Sequence, residues 1–200
     1  MGPTRAILIW LALVLAVGLP IVIAATSPLL AWRQPVYVAA GFAGIIAMAL
    51  LLIQPLLAGG YLPGLPARHG RRFHRVAGIG LVGAVMAHVV GLWITSPPDV
   101  IDVLLFSSPA PFSDWGVIAM WAVFAAAGLA AFRRQVRPRA WRLGHTALVA
   151  LLVVSSVAHA MLIEGTMGTV SKAVLCALTI AALVKALVDL RILSPLKRER

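Results

Sequence analysis

Four of the five histidines in this chain fall into two pairs of identical spacing. His74 and His88 are 14 residues apart, and so are His145 and His159. Both pairs lie in long apolar stretches, where ionisable side chains are rare and by default functional. On a helix, 14 residues turn through about 1400°, some 40° short of four full turns, so each pair occupies one face. The rise separates its two members by about 21 Å. In a hydrocarbon layer about 30 Å thick, that puts one histidine near each surface. Imidazole is a standard axial ligand for haem iron. A haem held from both sides needs two such nitrogens, and two helices facing each other offer them twice. No carboxylate or thiolate lies at matching depth on these stretches. Zinc is a poor match, because it wants four ligands about 2 Å from one point. A proton relay would leave the repeated spacing unexplained. His69 has no counterpart and reads as a solvated loop residue.

The elements that must carry these pairs are membrane-spanning helices. The chain has 200 residues, 62% hydrophobic and 12% charged, with a mean hydropathy of +1.00. A soluble domain is about half apolar and a quarter charged. Six stretches approach the roughly 20 apolar residues that a spanning helix needs. They run near Ala6–Ala25, Tyr37–Leu57, Phe73–Ile94, Trp115–Phe132, Trp141–Leu162 and Val170–Leu190. Pro35, Pro63, Pro66, Pro97, Pro98, Pro109, Pro111 and Pro138 are expected as breakers in the connecting segments, with Gly165 and Gly168. The expected fold is an all-α integral membrane protein, a six-helix bundle forming a single domain over 1–200. The histidine pairs fall on the third and fifth spans, which run in the same direction. His74 is then level with His145, and His88 with His159. Each ligand is expected to donate its second ring N–H, to a carbonyl one turn back, which fixes tautomer and orientation. Gly78, Gly80, Gly83, Ala84 and Ala87, with Ala147, Ser155 and Ala158, are small enough for a flat ring to approach.

The net charge of +11 reads as membrane topology rather than as a nucleic-acid signal, because the basic residues sit between the apolar segments. Arg68, Arg71, Arg72 and Arg75 occupy one connection, and Arg133, Arg134, Arg137, Arg139 and Arg142 another. Arg191, Lys197, Arg198 and Arg200 follow the sixth span. The other side carries only Arg33 and Lys172, with Asp99, Asp102, Asp114 and Glu164. The positive-inside rule puts both termini in the cytoplasm. Arg5 and the following apolar run resemble a signal peptide, but the run is long for one, so an uncleaved first helix is expected. Composition points to a bacterial cytoplasmic membrane. The single Cys176 excludes an internal disulfide. Arg71, Arg72, Arg75 and Arg142 flank the cytoplasmic histidines and suit haem propionates, since guanidinium pairs well with carboxylate. Trp93, Trp115 and Trp141 lie near span ends, where interfacial anchoring is their expected role.

With these residues in hand, the chain resembles the ferric reductase-like transmembrane domain family. The resemblance rests on Arg72-Phe73-His74-Arg75 with His88, and on Trp141-Arg142-Leu143-Gly144-His145 with His159. It covers roughly Arg68 to Leu162. That family includes the membrane parts of ferric-chelate reductases and NADPH oxidases, and the haem-binding membrane subunit of a bacterial methionine sulfoxide reductase system. The resemblance implies two b-type haems and outward electron flow, with His74 and His145 on the inner haem and His88 and His159 on the outer one. Larger relatives carry a cytoplasmic FAD- and NAD(P)H-binding region after the sixth helix. No glycine-rich dinucleotide fingerprint follows a strand in this sequence, so FAD or FMN is expected on a partner. The sulfoxide reductase subunit can lack the histidine corresponding to His74, which is present here.

Three functional classes follow. One is a reductase of a small acceptor outside the membrane, such as ferric iron or oxygen, fed by a cytoplasmic flavin reductase. Another is a non-catalytic electron-transfer subunit serving an extracytoplasmic partner enzyme, fed by flavin or quinol. The last is a quinol-linked cytochrome b. With both axial positions filled by histidine, transfer to any acceptor is expected to be outer-sphere. The apolar run Val100 to Phe106 in the long outer connection suits either a cover over the outer haem or an ordinary interfacial loop.

Overall fold

Proline opens five of the seven helices described here. In the computed structural model, which describes residues 2–189, α1 spans Pro3–Ala25, α2 Pro35–Gly59, α3 Ala67–Thr95, α4 Pro97–Leu104, α5 Pro111–Ala131, α6 Pro138–Leu162 and α7 Thr169–Asp189. Leu190 and the basic residues Arg191, Lys197, Arg198 and Arg200 lie outside the described residues. Pro3, Pro35, Pro97, Pro111 and Pro138 stand in the first turns of their helices. A missing N–H does no harm there, and the fixed φ suits the helix. This corrects the expectation that Pro35, Pro97, Pro111 and Pro138 belong to connecting segments. It also explains why α2, α5 and α6 start before the apolar runs do. At the other end, α2 stops where Gly60 turns left-handed (φ 67°) and its N–H reaches the carbonyls of Leu56 and Leu57. Glycine takes that conformation without a steric penalty.

Six helices, all but α4, are long and apolar enough to cross a membrane, and the described residues contain no strand. The chain is a multi-pass membrane protein. Backbone groups in lipid must be satisfied internally, which a helix does by itself. α4 is the difference from the expected bundle. It folds the Pro97–Leu104 segment into a short helix against α3 and α5, with Val100 buried and Leu105 and Phe106 beyond its end exposed.

The helices are organised as two antiparallel hairpins, α2–α3 and α5–α6, joined by α7, which packs on both α2 and α6. α1 lies outside, against α7 and α2, and presents Ile7, Leu8, Val14 and Val22 outward. The core gathers Leu51 and Leu52 of α2, Val123 of α5, Leu152 and Val153 of α6, and Leu175 and Leu183 of α7. Between apolar helices in lipid the driving force is close packing rather than removal of oil from water. Apart from the outlying α1, the two histidine helices take least part in it. Only 11% of the α3 span and 17% of the α6 span is buried, against 39% in α2, 33% in α5 and 44% in α7. α3 and α6 barely touch each other.

Polar groups tie the ends. Tyr61, just after α2, donates to Asp189 of α7 at 2.8 Å, and Lys185 bridges to the same carboxylate at 2.7 Å. Burial, and then the neighbouring Asp189 carboxylate, push the Tyr61 phenol up to about 12. At the opposite end, Lys172 lies within the sixth span, as expected. It sits in the first turn of α7, only 8% exposed, and its Nζ donates to the carbonyls of Ile163 (2.5 Å) and Met161 (3.5 Å), which close α6. The last carbonyls of a helix have no partner of their own. Replacing Lys172 with Met should lower stability by about 2 kcal/mol, the usual loss for a charge-assisted bond. Thermal unfolding in detergent measures it, and a Lys172→Arg variant should retain most of the stability.

Candidate haem-binding site

The histidines meet as the spacing requires at one end of the cleft. His88 of α3 and His159 of α6 face each other with ring centroids 6.5 Å apart and planes at 80°. Two metal–nitrogen bonds of about 2.0 Å, plus roughly 1.1 Å from each nitrogen to its ring centre, come to about 6.2 Å. The pair therefore has the separation of two imidazoles that would hold one metal ion, such as haem iron, between them. His74 and His145 stand two turns into the same two helices, at the other end. Among the described residues no three His, Cys, Asp or Glu side chains converge.

What orients the rings differs from the expectation. The second nitrogens bond to neighbouring helices, not to a carbonyl one turn back. Nδ1 of His88 lies 2.8 Å from the Ala40 carbonyl of α2, and Nδ1 of His159 lies 2.7 Å from the Phe112 carbonyl of α5. His74 Nδ1 lies 3.1 Å from the Gln54 carbonyl, again on α2. A carbonyl only accepts, so Nδ1 must carry the proton in each case. That leaves the lone pair on Nε2, free to ligate. The helical carbonyl already accepts one bond along its own helix and uses its second lone pair for the imidazole.

Both hairpins repeat this arrangement. The acceptors Ala40 and Gln54 are 14 residues apart, matching His88 and His74 on the antiparallel partner helix. Adding 72 to 40 and 54 gives Phe112 and Ala126, and adding 71 to 74 and 88 gives His145 and His159. The one-residue difference arises in the turns, where the chain uses residues 60–66 in the first hairpin and 132–137 in the second. The repeat extends to two glycines that sequence reasoning missed. Gly44 and Gly116 stand four residues after Ala40 and Phe112. A Cβ on Gly44 would lie 3.1 Å from His88 Nδ1, and one on Gly116 2.7 Å from His159 Nδ1. Their missing side chains open the route from ring to carbonyl. The signal that could have revealed them is a pair of glycines 72 residues apart, each on the helix preceding a histidine pair. Gln54 was also missed. Its buried side-chain amide lies against His74 Nδ1. A lone polar residue in the Leu51–Leu57 run is the kind that marks a functional site in a span.

The remaining candidates divide. Arg71, Arg72, Arg75 and Arg142 are exposed at the His74/His145 end and pair with no carboxylate among the described residues. Arg33 instead covers the Tyr37 ring at 5.1 Å. Gly83 is open, with nothing within 4 Å of an added Cβ, whereas Gly78 and Gly80 face Gln54 and Leu50 of α2. Ser155 is fully buried and its hydroxyl has no partner. His145 is the exception among the histidines, since its buried Nδ1 has no hydrogen bond. Replacing Gly116 with Ala should push the His159 ring off Phe112 and lose about 1–3 kcal/mol, as for any bond broken at a buried polar group. Imidazole ¹⁵N shifts and unfolding measure this. Gly128→Ala on the same helix, where an added Cβ meets nothing within 4 Å, should change neither.

Residues 40–156 match the family described as "Ferric reductase like transmembrane component". That is more than half of the chain. No curated protein and no solved structure matches it. The match begins at the carbonyl that receives His88 and takes in His74 and His145, ending three residues before His159. Running through α2, α3 and α5 and into α6, it places the chain in the ferric reductase-like transmembrane family, whose membrane domains generally bind haem and serve transmembrane electron transfer.

Proposed function

We propose that this chain carries electrons across the bacterial cytoplasmic membrane through two b-type haems, each held by one histidine of α3 and one of α6. His74 and His145 hold the inner haem, and His88 and His159 the outer. The observation that carries the reading is the His88–His159 pair. Its rings lie 6.5 Å apart, each with Nδ1 committed to a carbonyl behind it. Haem in such a pair supplies one-electron chemistry whose potential is set by its axial ligands and surroundings. The protein's share is to ligate through Nε2, to hold the Nδ1 protons of His74, His88 and His159 at fixed oxygens, and to keep the rings in low-dielectric surroundings.

The arginine-rich connections support a cytoplasmic placement of the His74/His145 end and of both termini. Arg71, Arg72, Arg75 and Arg142 are uncommitted guanidinium groups at that level, and they serve the propionates of the inner haem. The same basic surface suits an anionic donor, a reduced flavin on a cytoplasmic flavin reductase. Quinol is the competing donor. The acceptor lies on the other side, as ferric iron, oxygen or a partner enzyme.

Purified protein should show bis-histidine b-type bands in a reduced-minus-oxidised spectrum and two haems per chain. His88→Ala and His159→Ala should each retain one haem, and variants that keep both would overturn the pairing. In proteoliposomes a flavin reductase with NAD(P)H should reduce the haems rapidly. Rapid reduction by quinol alone would instead assign the chain to the quinol-linked class.

A further inference from the structure

We propose that Trp141 is the positioning residue of His145, setting by stacking what a backbone carbonyl sets for the other three histidines. The inference rests on the haem reading above and deepens it. Three histidines anchor Nδ1 on the partner helix of their hairpin, whereas Nδ1 of His145 is buried with no partner. By the repeat its acceptor is Ala126, since 112 and 126 correspond to 40 and 54. The Ala126 carbonyl lies close to the ring but outside good hydrogen-bond geometry. Trp141 lies one turn earlier on the same face of α6. Its indole is parallel to the imidazole, at 9° and 5.3 Å between centroids, an offset stack of the favourable kind.

The indole is itself held. Its Nε1–H donates to the Leu129 carbonyl of α5 at 3.1 Å, and the Arg133 guanidinium covers the ring at 5.6 Å. The other hairpin differs at the corresponding positions. Subtracting 71 from 141 gives Gly70, and subtracting 72 from 129 gives Leu57. At Gly70 the backbone of α3 approaches the Leu57 carbonyl so closely that a Cβ would collide with it. Helices that close can share a carbonyl with His74. In α5–α6 the corresponding position carries an indole, stacked on His145. The ring with the weakest hydrogen-bond anchor has a planar one. Interfacial anchoring, the role expected of Trp141 from sequence, accounts for neither the stack nor the orphaned nitrogen.

The test uses the purified full chain, and reads haem content and the low-spin ferric EPR signals, whose largest g value depends on the angle between axial imidazole planes. His88→Ala serves as a background in which only the inner pair remains. Trp141→Ala should lose the inner haem or shift its g value, with the outer signal unchanged. Trp141→Phe, which keeps a stacking ring and drops the Nε1–H bond, should retain both haems and both signals. In the His88→Ala background, Trp141→Ala should lose or shift the one signal left. Unchanged haem content and g values in Trp141→Ala would overturn the inference, as would loss of both haems in that variant or loss of the inner haem in Trp141→Phe. A wild-type chain without an inner haem would overturn the pairing itself, which separates the two failures.

Discussion

An imidazole inside a bilayer must place its N–H on an oxygen, and the only oxygens at that depth belong to helices. Water is absent there, and an unsatisfied polar group costs several kcal/mol. This protein uses the spare lone pair of a carbonyl on the adjacent antiparallel helix of the hairpin. The consequence is chemical as well as structural. Once Nδ1 is tied to Ala40, Gln54 or Phe112, Nε2 is the only ligating atom left, and its direction is fixed by the packing of two helices.

The hairpin is accordingly the unit of function, and the rest of the bundle serves it. α7 joins the two hairpins and carries much of the core, so tight packing is concentrated on the side away from the facing imidazoles. Lys172 and the Tyr61–Asp189–Lys185 cluster fasten the two ends of α7. α3 and α6 can then remain apart with their histidine faces toward each other. Glycine sets how closely each hairpin closes, at Gly44 and Gly116 by admitting a ring and at Gly70 by admitting a backbone.

The two hairpins also show that one arrangement tolerates two solutions for orienting a ring. A close backbone contact leaves a carbonyl within reach of the imidazole. A stacked indole supplies a plane. The two hairpins differ at one corresponding position, Gly70 in the first and Trp141 in the second.

Much of this was legible in the residues alone. Apolar runs of spanning length fixed the six membrane helices, because a bilayer demands that length whatever the tertiary packing. Two spacings of 14 fixed which histidines share a face and a depth, because helical rise and twist are local properties. Helix starts were misjudged at Pro35, Pro97, Pro111 and Pro138, since a proline reads as a breaker until its place in the first turn is known. Tertiary structure alone decided the rest. Which carbonyl accepts each Nδ1, why Gly44 and Gly116 must lack side chains, and why His145 stacks on Trp141 all depend on the distance between two helices. That distance is set by side chains meeting across the hairpin, and no pattern along a single strand of sequence records it.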